Sequence, residues 1–173
     1  TIIEPNIGRV AILDKRLKSL SKISKSEKTI LAYIDFVDIA GLVKGASTGE
    51  GLGNKFLAHI REMDAVAHVV RSFEEENITH EFSSINPIDD IETINTELIL
   101  ADLETLQGKS NSLQKKAKSG DKEIKTQCEI INTIIKKMNS SEKIIDVDWS
   151  TEQKEFVYTL NLITIKPVLY VCN

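Results

Sequence analysis

Apolar and polar positions along this chain follow two rhythms. Up to Ser84 the apolar residues come as short dense runs between polar stretches; from Asn86 they recur at helical intervals. Arg9 to Leu13 reads as a short strand, after a turn-like start at Glu4-Pro5-Asn6. Asp14 reads as the cap of a helix whose Leu17, Leu20 and Ile23 recur at three-residue intervals. Thr29 to Val37 predicts a strong strand, with Ile30, Ala32, Ile34 and Phe36 on one face and Leu31, Tyr33 and Val37 on the other. Apolar residues on both faces predict burial between layers. Asp35 breaks that pattern and points to an edge. A glycine-rich stretch follows, then a segment with Phe56, Ile60 and Met63 at helical spacing, then a second buried-strand run from Ala65 to Arg71. Strand, helix, strand predicts a right-handed crossover and parallel pairing. Ser72 to Ser84 is polar and acidic and reads as a loop.

From Asn86 the pattern becomes helical. Pro87 suits a first helical turn, and Asp89, Asp90 and Glu92 suit the positive end of a helix. Ile91, Ile94, Leu98 and Ala101 continue through Thr105, Leu106, Leu113 and Ala117 until Gly120-Asp121 breaks the run. Ile124, Cys128, Ile131, Ile134, Ile135 and Met138 resume it. Two long amphipathic helices joined by a short turn predict a coiled-coil-like hairpin, its first arm reaching roughly 45 Å. That length predicts an element projecting from an α/β domain as an insertion. Asn139 to Asp148 is a connector. Ser150 with Gln153 matches a capping box before Phe156, Val157 and Leu160. Val168 to Cys172 reads as a short buried strand, so the sheet resumes after the helices.

Composition narrows the class only slightly. At 173 residues, 41% apolar and 28% charged, the chain can bury a core, and its net charge of −4 gives no global attraction to nucleic acid. Cys128 and Cys172 lie far apart without metal-ligand spacing, which predicts reduced thiols in a cytoplasmic protein. No apolar run reaches the ~18 residues of a membrane span. The first residue, Thr1, and the abrupt end at Asn173 after an apolar run predict an internal fragment.

The chemistry concentrates between Val37 and Lys55, where Asp38 ends a strand and five of the chain's eight glycines fall between Gly41 and Gly53. An acid at a strand's carboxyl end, followed by amides free of side chains, suits a metal-phosphate site. An isolated Asp-x-x-Gly also fits an ordinary strand-to-helix loop.

The longer strings resemble a known family. Thr1-Ile2-Ile3-Glu4-Pro5-Asn6 is similar to the first switch region of Obg-related GTPases, and Asp38 to Ala46 with Gly49 to Asn54 resembles their second switch. Phe36 to Gly41, His68-Val69-Val70-Arg71, Ile94 to Leu98, Gly120-Asp121-Lys122 and Lys166 to Tyr170 identify the chain as a member of the Obg-like ATPases, the YchF group. The resemblance runs nearly end to end. It implies a P-loop NTPase, hence an α/β fold with a Ras-like, mostly parallel sheet and an inserted helical hairpin. Residues 1–85 would be part of the nucleotide-binding domain, 86–164 the insertion and 165–173 the returning strand. It implies hydrolysis of ATP, or GTP, with Mg2+, and association with ribosomes. The family's Gly-x-x-x-x-Gly-Lys-Ser/Thr loop is not among these residues, so the fragment alone is expected to be inactive.

By that resemblance Asp38 would hold magnesium, and Gly41 would offer its backbone N–H to the γ-phosphate. Leu42 stands where many related GTPases carry a water-orienting glutamine; leucine cannot polarise water, so another group must do so. His80 lines up with the histidine given a catalytic role in the family. Asn173 resembles the first residue of its base-reading Asn-x-x-Glu. Thr1 is carried as a metal candidate, although counting back from Glu4 puts Ile2 at the magnesium-contacting position. His68 reads as a core histidine, His59 as solvated, and Lys44 and Lys55 as solvent-facing. Lys109, Lys115, Lys116, Lys118, Lys122 and Lys125 are expected around the hairpin tip, suiting either RNA backbone contact or a solvated helix end. Two alternatives stand beside the ATPase reading: a GTP-specific GTPase and a non-catalytic interaction module that keeps the fold.

Overall fold

The structure, a computed structural model, describes residues 6–39, 52–73, 86–117, 121–140, 142, 144 and 147–173, with the backbone alone given at 52–55 and 117. It divides into two compact units, Thr1–Gly41 and Leu42–Asn173.

The first unit contains β1 (Asn6–Ala11), α1 (Lys15–Ser24) and β2 (Tyr33–Asp38). Local polar bonds set its turns. The Asp14 carboxylate accepts from the Arg16 backbone N–H at 2.9 Å and from the Arg16 guanidinium at 2.7 Å, which starts α1 as expected. Lys25 ends the helix in the left-handed region at φ 49°. The chain then returns so that β1 and β2 pair antiparallel, from Asn6 opposite Asp38 to Ala11 opposite Tyr33. The strand expected over 9–13 therefore begins at Asn6, and the one expected from Thr29 begins at Tyr33. Asp35 breaks the apolar pattern because it faces Arg9 directly across the ladder. The guanidinium donates to both carboxylate oxygens, at 2.6 and 2.7 Å, and holds the Asp35 carboxyl below its usual range.

The expected burial of β2 on both faces is not found. Tyr33, Ile34 and Phe36 are each about half exposed, because burial depends on what packs on a strand and no second layer covers this ladder among the described residues.

The second unit runs α2 (Leu52–Glu62), β3 (Val66–Val70), α3 (Pro87–Ala117), α4 (Lys122–Asn139), α5 (Thr151–Thr159), a short 3-10 turn (Ile163–Ile165) and β4 (Val168–Cys172). Its helix starts follow the sequence closely. The Asn86 side chain accepts from Ile88 N–H at 3.2 Å, Pro87 takes the first helical position, and Asp89 and Asp90 lie in the first turn of α3. Asp121 caps α4 through the Glu123 N–H, and Ser150 and Gln153 form the expected reciprocal capping box on α5. At 31 residues α3 is about 46 Å long.

α3 and α4 lie against each other and, with α5, enclose the core. Leu106, Ile131, Ile134, Leu160 and Leu162 are almost wholly buried there, joined by Ile130, Met138, Ile144 and Val157. Trp149, Phe156 and Leu113 pack around the margin. β3 and β4 pair in parallel, Val66 opposite Val168 through Val70 opposite Cys172, with α3 to α5 in the connection between them. Val70 is buried, but β4 is exposed along its length, contrary to the buried strand expected there. It has one paired edge, with β3, and no covering face among the described residues.

Candidate functional site

Asp38 is the last residue of β2, opposite Asn6, and is exposed. Among the described residues its carboxylate has neither a hydrogen bond nor an ion pair, so both oxygens are available. β2 thus delivers an acid to the start of the glycine-rich stretch, the order read from the sequence. Gly41, Leu42, Thr1 and His80 lie outside the described residues. So do Lys44 and Lys118, and nothing is described of the Lys55 side chain.

In the second unit Asn173 continues the parallel ladder past β4. Its N–H donates to Val70 O at 2.9 Å and its carbonyl accepts from the Ser72 hydroxyl at 2.9 Å. The side-chain amide is exposed and has no partner among the described residues. Asp38 and Asn173 each end a strand, and each belongs to a different unit.

Beside this ladder His68 is half buried, its ring centroid 5.6 Å from that of Tyr170. Burial pushes the imidazole below its ordinary value of 6.5, and the Asp90 charge opposes that push. Asn95 donates weakly to the Tyr170 hydroxyl at 3.5 Å. His59, expected to be solvated, is partly buried on α2.

A polar cluster that the sequence pattern did not single out lies where α2, α3 and the approach to β4 meet. Asp102 of α3 is fully buried. One carboxylate oxygen accepts from both the backbone N–H and the hydroxyl of Thr164, each at 2.9 Å. The other lies 2.9 Å from a guanidinium nitrogen of Arg61 on α2, an ion pair without hydrogen-bond alignment. The Arg61 N–H groups are directed to Asn161 O at 3.0 Å, Thr105 Oγ1 at 2.9 Å and Ala101 O at 3.2 Å. Lys166 closes the cluster from β4's side, donating to Met63 O at 2.6 Å, Arg61 O at 3.0 Å and Asn161 Oδ1 at 3.4 Å. Asn161 accepts from both Arg61 and Lys166 from its place just past α5, at φ 51°, a backbone state asparagine tolerates. A signal was present in the sequence: Asp102 sits four residues from both Leu98 and Leu106, a charge in an apolar stripe.

Lys109, expected at the hairpin tip, is elsewhere. Eight residues before the end of α3 amount to about 12 Å, and its ammonium caps α5 through Thr159 O at 3.2 Å and Leu160 O at 3.5 Å. Burial first, and then the nearby Arg61 charge, lower its pKa from the ordinary lysine value. Lys115, Lys116, Lys122 and Lys125 do lie at the described ends of α3 and α4 and are exposed.

Among the described residues, no group of three or more His, Cys, Asp and Glu is placed to hold a metal, and no helix is long and apolar enough to cross a membrane. Cys128 is partly buried and Cys172 exposed; neither forms a disulfide.

Comparison with known proteins adds the family. Residues 3–101 match the model of the 50S ribosome-binding GTPases. The chain is 48% identical over 171 residues to the ribosome-binding ATPase YchF of Bacillus subtilis and 47% identical to that of Escherichia coli O157:H7. In each case the match covers 99% of this chain and 47% of the relative, so the chain spans about half the length of the curated relatives it matches. The solved structure of the Schizosaccharomyces pombe YchF GTPase superposes with a TM-score of 0.77 at 35% identity, over 99% of this chain and 47% of that one. The mixed α/β arrangement, with five α-helices among the described residues, is thus P-loop-GTPase-like. With a family model covering more than half of its residues and YchF proteins as its homologues, the chain belongs to the 50S ribosome-binding GTPase family.

Proposed function

We propose that this chain is part of a nucleotide-dependent switch that hydrolyses ATP, with GTP as the alternative nucleotide, and works in the cytoplasm on the ribosome. The observation that carries the reading is Asp38: a carboxylate without a partner among the described residues, at the end of β2, directly before the glycine-rich string and within the matched region 3–101. The names of the similar proteins, ribosome-binding ATPase and GTPase, support the nucleotide and the partner.

The donor set fits Mg2+. That ion keeps several waters and phosphate oxygens and takes only one or two carboxylates, of which Asp38, without a partner among the described residues, can supply one. Bound there, the ion would offset charge on the β- and γ-phosphates. Asp38 would hold it, Gly41 would offer an N–H to the γ-phosphate, and Thr1 is the further metal candidate. Leu42 cannot orient water, and the family resemblance assigns that role to His80. Asn173, just past β4 and with its side-chain amide without a partner among the described residues, is assigned to the nucleotide base.

Residues 1–85 and 165–173 form the nucleotide-binding part, completed in the intact protein as a Ras-like, mostly parallel sheet, and 86–164 form the helical insertion. The parallel β3–β4 ladder supports this division, because α3, α4 and α5 all lie in the chain between its two strands. The exposed lysines at the hairpin end favour contact with ribosomal RNA backbone.

ATP and GTP turnover by the intact protein, with and without ribosomes, tests the reading. Replacing His80 with alanine should slow hydrolysis by about a hundredfold while nucleotide affinity stays nearly unchanged. Asp38→Asn should raise the magnesium concentration needed for turnover. Unaltered turnover in His80→Ala removes that residue from the mechanism. No turnover of either nucleotide by the unsubstituted protein would instead favour an interaction module.

A further inference from the structure

We propose that Arg61 and Asp102 form a coupling joint, through which the state registered ahead of α2 is passed to the α3–α4 hairpin. The proposal rests on the switch reading above. It assigns the two residues as positioning groups that do not touch the nucleotide.

The joint has three parts far apart in sequence and tied together by directional bonds. Arg61 reaches from α2 to three groups of α3, namely Asp102, Ala101 O and Thr105 Oγ1, and to Asn161 O beyond α5. Asp102 uses one oxygen toward Arg61 and the other toward Thr164. Lys166, two residues before β4, holds the carbonyls of Arg61 in the last turn of α2 and of Met63 just past its end. One carboxylate therefore stands between the helix that follows the glycine-rich stretch and the segment that leads into the sheet.

A buried ion pair adds little stability that apolar packing would not also supply. What it adds is direction. Apolar contacts between Leu57 or Ile60 and their surroundings tolerate a small slide of α2, whereas a planar guanidinium aimed at four oxygens does not. A rotation of α2 must either carry α3 with it or break several of these bonds at once. That all-or-none choice lets a small displacement at one end become a discrete change at the other. Arg61 lies at the C-terminal turn of α2, with the glycine-rich stretch at the opposite end of the same helix, so α2 is the lever and the joint its far end.

The test is hydrogen–deuterium exchange on the intact protein with magnesium, comparing ADP with a non-hydrolysable ATP analogue. In the unsubstituted protein the nucleotide should alter exchange both in residues 41–53 and in α3 and α4, with a hairpin response of about fivefold or more. Asp102→Asn, which keeps the shape, and Arg61→Lys, which keeps the charge but loses the fork, should retain the response at 41–53 and nucleotide affinity. Both should lose the hairpin response. If Asp102→Asn loses its folded spectrum, Arg61→Lys and Thr164→Val carry the same comparison. A hairpin response that persists in these variants overturns the proposal. So does an unsubstituted protein in which 41–53 respond and the hairpin does not, a result that leaves the switch reading intact. Absence of any response at 41–53 fails the switch reading itself, and the joint with it.

Discussion

Arg61→Met gives the sharpest test of the polar cluster's energetics. The substitution keeps a long apolar stem and removes the guanidinium, so Asp102 is left fully buried, with Thr164 on one oxygen and no cation beside the other. Removing one partner of a buried ion pair costs about 3–5 kcal/mol. The Arg61 side chain is 20% exposed, which places the expected cost near the lower end, about 3 kcal/mol. Against a typical total of 5–15 kcal/mol that is a large fraction. It corresponds to roughly 6–12 °C in Tm for a domain of this size. Asp102→Asn should cost less, about 1–2 kcal/mol, because the amide still accepts from Thr164 and no buried charge remains. The double variant R61M/D102L should recover most of the loss, since an apolar pair replaces an orphaned charge. Urea unfolding followed by the fluorescence of Trp149, which packs on the core, reads all three. A cost for R61M below about 1 kcal/mol, or a double variant no better than R61M, would refute the reasoning.

Gly108 lies inside α3 and a Cβ there would meet nothing within 4 Å, so Gly108→Ala should stabilise by about 0.5–1 kcal/mol, seen as a higher urea midpoint. Ile131 is wholly buried between the helices; Ile131→Ala should cost about 2–5 kcal/mol in the same assay without changing the far-ultraviolet circular dichroism. His68 makes part of the stability pH-dependent. Its folded pKa lies below the ordinary 6.5, so the unfolded chain takes up the proton first as pH falls. Its contribution is therefore fully present above 6.5 and is lost as pH drops below that value. His68→Phe should show a smaller loss of stability between about pH 7.5 and pH 5.5, a window above the carboxylate range. Equal slopes in the two proteins would remove His68 as the cause.

What the sequence disclosed depends on how far apart the interacting groups are. Asp14 with Arg16 and Ser150 with Gln153 are bonds across two or three residues, and both were readable as caps. Asn86 with Ile88 and Asp121 with Glu123 are equally local, but in the sequence Asp121 reads only as part of a break and Asn86 has no assigned role. The core spacing of α3 and α4 was readable for the same reason, although Ile130 adds a buried position that the strictest spacing omits. Strand burial was not readable. Phe36 and Leu169 look like core residues by composition, yet their exposure depends on layers contributed from elsewhere. Lys109 was drawn to the tip by its charge, while its actual partners are carbonyls fifty residues away on α5. At the candidate site, Asp38 was legible because strand, acid and glycines are consecutive. The pairing of Arg61 with Asp102 was not: the apolar stripe marks Asp102 as a buried charge, but neither residue type declares a partner some forty positions distant.

The long connection between the parallel strands also bears on how the chain folds. Val70 and Cys172 lie side by side, yet the intervening chain is roughly a hundred residues long. Closing so long a flexible loop costs about 4 kcal/mol in chain entropy, before any ladder bond repays it. The helices need no such closure, since their bonds are local and only residues 118–121 separate α3 from α4 in the chain. The order of events that follows is helices first and sheet second, with the hairpin shortening the effective distance between β3 and β4. Truncating the hairpin would then slow folding of the very ladder that ends at Asn173, a kinetic defect in a strand pair that the hairpin serves only by bringing its ends together.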